Sequence, residues 1–324
     1  MKDCFLCLDI GATRVRVALL TSDGAVLARN TILTLAKEGP DCTLPRIEAT
    51  MREVISSAPG SRVTAIGVGA PGPLDPWRGI IYNPPNLPGW NALALKDRWE
   101  GEFGLPTCVG NDANLAGLGE HRFGAGRGVA DMVYLTISTG IGGGIITNGR
   151  LLLGADGLAG EIGHTSVEAR GRRCNCGNVG CLEVMASGPA IARQGARALR
   201  RGTAPGIGAL VGENAAAVTA ETVVEAARAG DAAARSIVER AGFYLGVGVV
   251  NLVHMLNPRL VVVGGGVAIG AGDMLLNPAR AVVQQRAMPA FRRDLQLVPA
   301  ALGDEAGLLG ALALVLAETR DLRG

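Results

Sequence analysis

The chain has 324 residues, about twice the ~150 of a common domain, so two domains with cores of their own are expected. Apolar residues at 48% and charged residues at 19% exclude a disordered or fibrous chain, and 31 Lys plus Arg against 29 Asp plus Glu leave +2, too little for a strong field toward a polyanion. Aromatic residues are only 3%, which argues against base-stacking platforms for nucleic acid, while 48 glycines, about twice the usual share, require many tight turns or close approaches to a ligand.

Phe5 to Asp9 is an apolar run, Arg14 to Leu20 alternates, and Ala25 to Ala28 follows an Asp23-Gly24 turn, which predicts three antiparallel strands with the sharp turn GAT between the first two. A helix over Pro45 to Ser56 and a strand over Val63 to Ala70 follow. Next come the Pro/Gly-rich stretches APGPLDPWRG and NPPNLPGWN, a strand ending in VGND, and a helix over Ala113 to Glu120. Met132 to Ser138, Gly144 to Thr147 and Arg150 to Leu153 then repeat the opening unit about 125 residues later, with TGIGGG in place of GAT and Asn148-Gly149 as the hairpin turn. Two related α/β domains facing each other are the expectation. Between Gly230 and Pro258, apolar residues at three and four spacing read as a long buried helix, followed by the strand and glycine turn LVVVGGG, and Glu305 to Thr319 reads as a final helix packed back on the first domain.

The longest apolar runs, Gly242 to Met255 and Leu308 to Leu316, fall short of the ~20 residues of a membrane span. Asp9 and Arg14 interrupt the N-terminal stretch before a signal-type run develops. The seven cysteines are an odd number, and three of them crowd into Cys174, Cys176 and Cys181, which points to a reducing compartment and a metal. A cytoplasmic protein without membrane or nucleic-acid partners is expected.

Five segments can carry chemistry. In DIGATR, Asp9 at a strand end can hold a hydrated Mg²⁺, while the turn's N–H groups and Thr13 can meet phosphate; a solvated Asp on a hairpin is the plain alternative. STGIGGG offers Thr139 and several unobstructed N–H groups, and VVVGGGVA a side-chain-free backbone for a base or ribose. Neither fits the dinucleotide or P-loop patterns, so phosphate would bind between two hairpins. In VGNDAN, Asp112 stands at a helix start, either as a cap or as a base taking a proton from a substrate hydroxyl, with the amide of Asn111 beside it suited to a polyhydroxy ligand. Finally, Cys174, Cys176 and Cys181 form C-x-C-x4-C ten residues after His164, a Cys₃His set of the kind structural Zn²⁺ prefers. Glu161 and Glu183 flank that set and suit sugar hydroxyls or plain solvation, whereas His121 at a helix end and His254 in the long helix read as structural.

DIGATR, GAPGPLD, NLPGW, VGNDAN, STGIGGG, GEIGH, CNCGNVGCLE followed by ASGPAI, and VVVGGGV occur in order from Asp9 to about Gly266. On these motifs the chain resembles the ROK family of bacterial sugar kinases and repressors. The resemblance implies an actin-like fold of two ribonuclease-H-like α/β domains: a small N-terminal one over 1–118, on which 305–324 packs back, and a larger one over 119–304 with the zinc loop. It further implies ATP with Mg²⁺ in the cleft, a hexose beside it, and a homodimer or homotetramer. Residue by residue, it makes Asp112 the base for the sugar's 6-hydroxyl and Gly72, Asn86, Asn111, Glu161, His164 and Glu183 sugar ligands. His164 joins Cys174, Cys176 and Cys181 as the zinc set, one ring nitrogen on the metal and the other facing the sugar. Asp9, Gly11, Thr13, Thr139, Gly140, Gly265 and Gly266 would meet Mg-ATP. The one departure, STG where GTG is common, leaves the threonine and the following glycine in place.

The resemblance makes glucose the first expected substrate, with N-acetylmannosamine and allose as alternatives. The rival class is a sugar-responsive regulator. Repressors of the family carry a helix-turn-helix ahead of the body, and the first strand, beginning by Phe5, is read as leaving no room for one.

Overall fold

The computed structural model describes residues 2–321. β1 (Lys2–Ile10), β2 (Arg14–Thr21) and β3 (Val26–Leu33) form the expected antiparallel meander, and β4 (Ser61–Ala70) runs parallel to β1. A small sheet of β5 (Leu74–Asp75), β6 (Ile80–Tyr82) and β7 (Asn91–Ala94) intervenes before β8 (Thr107–Asn111) adds in parallel to β4, giving the order β3-β2-β1-β4-β8. The second sheet repeats that plan. β9 (Met132–Ile137), β10 (Ile141–Thr147) and β11 (Arg150–Leu151) form the meander, and β12 (Leu260–Gly264) and β13 (Gln296–Pro299) add in parallel, in the order β11-β10-β9-β12-β13.

Helices separate and flank the sheets. In chain order they are α1 (Pro40–Ser56), α2 (Leu95–Phe103), α3 (Asp112–Phe123), α4 (Leu182–Ala186), α5 (Gly188–Arg200), α6 (Pro205–Val211), α7 (Ala220–Arg228), α8 (Ala232–Leu256), α9 (Gly266–Ala271), α10 (Asp273–Arg286), α11 (Pro289–Arg292) and α12 (Ala306–Asp321). α1 starts at Pro40 rather than the expected Pro45, because a proline at the first helical position loses no hydrogen bond.

Period-two alternation explains the layers. On β1, Leu6 and Leu8 face a core with Leu44, Ile47 and Met51 of α1 and Trp99 of α2, while Phe5 and Cys7 face the opposite side. On β9, Val133, Leu135 and Ile137 face a core built with α5, α7, α8 and α10, while Met132 and Tyr134 face inward. Both inward faces meet the same filling, Leu115 and Leu118 of α3 with Leu308, Leu312 and Val315 of α12, so α3 and α12 cross between the two sheets. α12 thus returns against β1, β4 and β8; residues 322–324 of the expected final segment lie outside the described residues.

Glu120, fully buried on α3, pins this middle layer. Its carboxylate accepts N–H groups from Ala125 at 2.8 Å, Ala301 at 2.9 Å and Leu302 at 2.8 Å, tying α3 to the segment that enters α12. α8, at 25 residues, is long and apolar enough to cross a membrane by length and composition, but its apolar face is spent on the core, against α10, α7, α4 and α5. His254 lies on the exposed face of α8 rather than in the core, and its Nε2 accepts the Met288 N–H at 3.1 Å.

Candidate active site

A cavity of about 690 Å³ lies where the two sheets meet, walled by the ends of both meanders. Its lining gathers Asp9, Gly72, Asn86, Asn111, Asp112, Thr139, Gly140, Glu161, His164, Glu183, Gly265 and Gly266, drawn from segments as far apart in sequence as Asp9 and Gly266. Gly11 and Thr13 are not brought into it. They form the tip of the β1–β2 turn, where Gly11 donates to Arg14 O at 2.9 Å and its own carbonyl accepts the Thr34 hydroxyl at 2.6 Å.

Asp112 stands where β8 gives way to α3, and Asn111 rather than Asp112 caps the helix. The Asn111 Oδ1 accepts N–H groups from Ala113 at 3.0 Å and Asn114 at 3.2 Å. Asp112 spends one oxygen, Oδ1, on the Ala113 N–H at 2.8 Å, no hydrogen bond to Oδ2 is found among the described residues, and the residue lines the cavity. Burial pushes its carboxyl up to about 6, with the charges of Asp9 and Glu161 adding to the rise and the Ala113 N–H opposing it. Such a group is mostly ionised at pH 7 and above, yet a markedly better proton acceptor than an ordinary carboxylate at ~3.9. Burial also raises Asp9 above the usual carboxylate range, opposed by the Arg16 guanidinium, whose Nη1 lies 3.0 Å from Asp9 Oδ2.

Opposite these, Ser138 donates to Gly140 O at 2.9 Å and closes the β9–β10 turn. Glu183, in the first turn of α4, reaches across, and its Oε2 accepts the Ile141 N–H at 3.0 Å. Gly265, between β12 and α9, has φ +88° and passes so near β9 that a Cβ would lie 2.4 Å from Ile137 O, so only glycine fits.

The cysteine-rich segment folds as a short hairpin, with rungs Ser166–Cys181 and Arg173–Val179, leading into α4. Ligand atoms of His164, Cys174, Cys176 and Cys181 all lie within 4.8 Å of one another, with Cys174 Sγ 3.7 Å from His164 Nδ1 and Cys176 Sγ 3.7 Å from Cys181 Sγ. A tetrahedron with Zn–S bonds of ~2.3 Å has edges of about 3.8 Å, so these donors fit a structural Zn²⁺. The other ring nitrogen, His164 Nε2, lies 3.8 Å from Glu161 Oε2 on the cavity side. One module therefore carries metal donors on one edge and Glu161, His164 and Glu183 on the other.

Three lining residues escaped the motif reading. Arg16 is legible in hindsight, since any two-stranded pairing about the GAT turn sets it opposite Asp9. Asn114, whose buried Oδ1 has no partner among the described residues, closes the VGNDAN motif without a predicted role, and Gly307, at the start of α12, lies outside every motif.

Two facing sheets of identical strand order with crossing helices and a shared cleft define the actin-like two-domain class. Within that class the chain belongs to the ROK family, whose pattern matches residues 5–318. The chain is 39% identical over 311 residues to a glucokinase of Halalkalibacterium halodurans, covering 95% of this chain and 93% of that one. It is 30% identical over 313 residues to a xylose repressor of Caldicellulosiruptor bescii, covering 96% of this chain and 77% of that one. Among solved structures, a ROK family glucokinase from Streptomyces griseus in complex with glucose and AMPPNP superposes with a TM-score of 0.82 at 33% identity, over 98% of this chain and 99% of that one.

Proposed function

We propose that the protein is an ATP-dependent hexose kinase that phosphorylates the 6-hydroxyl of glucose. The observation that carries this reading is Asp112: a carboxylate poised near 6, relieved of capping by Asn111, in a cavity of about 690 Å³ between two glycine turns. Glucokinase relatives and a related structure holding glucose with an ATP analogue support it.

Asp112 takes the proton of the attacking hydroxyl as the sugar oxygen bonds to the γ-phosphorus; the bond from that phosphorus to the β,γ-bridging oxygen breaks, ADP leaves, and the proton passes to solvent. Glu161, His164 and Glu183 orient the sugar from the metal-braced side, Asn111, the neighbouring Gly72 and Asn86 complete its surroundings, and Thr139, Gly140, Gly265 and Gly266 receive the nucleotide. Mg²⁺ entering with the nucleotide would neutralise triphosphate charge beside Asp9. Zn²⁺ would act in folding, holding the module that carries the sugar ligands.

A coupled ADP-release assay over glucose, mannose, allose, fructose, N-acetylmannosamine and N-acetylglucosamine tests the reading. Sugar-dependent release with the highest kcat/KM for glucose is expected. A better N-acetylated sugar or allose would reassign the substrate, since a single hydroxyl is discriminated by pocket shape. Sugar binding without any release would favour the regulator reading that the xylose repressor relative keeps open.

A further inference from the structure

The cavity is lopsided in charge. Its walls carry Asp9, Asp112, Glu161, Glu183 and Asp304, and of all Lys and Arg side chains among the described residues only Arg16 reaches it. A site of that composition repels a triphosphate unless its single permanent cation engages it.

Arg16 is built to do so. It faces Asp9 across the β1–β2 pair, with Nη1 3.0 Å from Asp9 Oδ2 and donating to Asp304 O at 3.3 Å, and with Nη2 3.9 Å from Asp304 Oδ1. A guanidinium has five N–H donors and these contacts use few of them; the side chain remains 34% exposed, so it can pivot without leaving a core. Asp9 is the less exposed partner, at 18%, with the start of α12 close against it. Gly307 at the start of α12 lies so close that a Cβ there would stand 2.6 Å from Asp9 Cγ. A largely buried carboxylate thus holds a more exposed cation, on the same side of the cavity as Asp112, whose carboxyl feels the charge of Asp9.

Building on the kinase reading, we infer that Arg16 is the phosphate-contacting cation of this cavity, parked on Asp9 in the free protein and transferred to the β- and γ-phosphoryl oxygens when nucleotide binds. The planar fork matches two phosphoryl oxygens at once, and charge developing on the transferred group strengthens the contact. Its departure frees Asp9 at the moment the polyanion arrives.

Calorimetric titration with ADP and AMP in magnesium-free buffer, with the zinc left in place, isolates this contact from nucleotide-bound metal. Arg16→Gln should weaken metal-free ADP binding about ten- to a hundredfold and leave AMP nearly unchanged, because only ADP presents the β-phosphate. Arg16→Lys, which keeps the charge and loses the fork, should fall between wild type and Gln, and serves if the Gln variant does not fold. Asp9→Asn, by removing the competing carboxylate, should tighten metal-free ADP binding. Equal loss for ADP and AMP, no loss at all, or weaker ADP binding in Asp9→Asn would overturn the assignment, the last by showing that Arg16 only props up Asp9. In turnover with the best sugar, Arg16→Gln should lower kcat by about 10²-fold or more with the sugar KM unchanged. A wild-type protein from which none of the sugars elicits ADP release would defeat the kinase reading while leaving the metal-free titration able to judge Arg16.

Discussion

The β1–β2 and β9–β10 turns occupy the same place in two sheets of the same order, yet they are stabilised by different means. The first is governed by charge: Asp9 and Arg16 face each other on its flanking strands, 3.0 Å apart. The second carries no charge on its flanking strands. It is held from outside, by Glu183 on a helix that the Cys₃His module launches. The common strand order gives the shared skeleton, and in the kinase reading the difference assigns work: the first turn brings charge to the phosphates, while the second offers Thr139 and Gly140 to the nucleotide and is braced by the module that carries the sugar ligands.

Removing the metal donors should separate the halves most sharply. Structural zinc binding is worth roughly 10–16 kcal/mol and is folding free energy, so Cys174→Ser should abolish zinc by metal analysis, melt the hairpin and remove sugar turnover. Metal-free ADP binding, which also rests on Arg16 and the β12–α9 turn, should weaken far less, and an equal loss would mean that the two sides of the cavity are not independent.

Glu120→Ala attacks what the halves share. Three N–H groups would lose a buried charged acceptor, and a cost of about 3 kcal/mol is expected, read as a fall in the urea midpoint with both ligands weakened. A loss confined to one ligand would contradict a shared middle layer. Glu183→Ala frees only the Ile141 N–H and a sugar contact, so kcat/KM for glucose should fall about tenfold with zinc retained.

Much of this was legible in sequence because it follows local periodicity. Apolar Phe5 to Asp9, the Asp23-Gly24 and Asn148-Gly149 turns and the repeat after about 125 residues imply two like sheets, and three cysteines within eight residues imply a metal. What stayed hidden depends on contacts between distant segments. The middle layer needs α12 to meet α3, the pin from Glu183 to Ile141 spans 42 residues, and the division of labour between Asn111 and Asp112 depends on which residue takes the cap. Two adjacent residues with capping side chains give no sequence basis for choosing.

The central claim is that Asp112 is the base, and the pH profile of the wild type against Asp112→Asn tests it most directly. A base must be unprotonated to act, so wild-type kcat/KM for glucose should rise about tenfold per pH unit up to near pH 6 and then level. Asp112→Asn should lower kcat by about 10²–10⁴ and erase that limb. Because the folded protein binds this proton more tightly than the unfolded chain, the ionised group costs stability above about pH 6 and the cost is relieved as pH falls toward ~4; the Asn variant should therefore melt no lower than wild type at pH 8. An Asp112→Asn protein that turns glucose over at the wild-type rate, or keeps the limb near pH 6, would contradict the account.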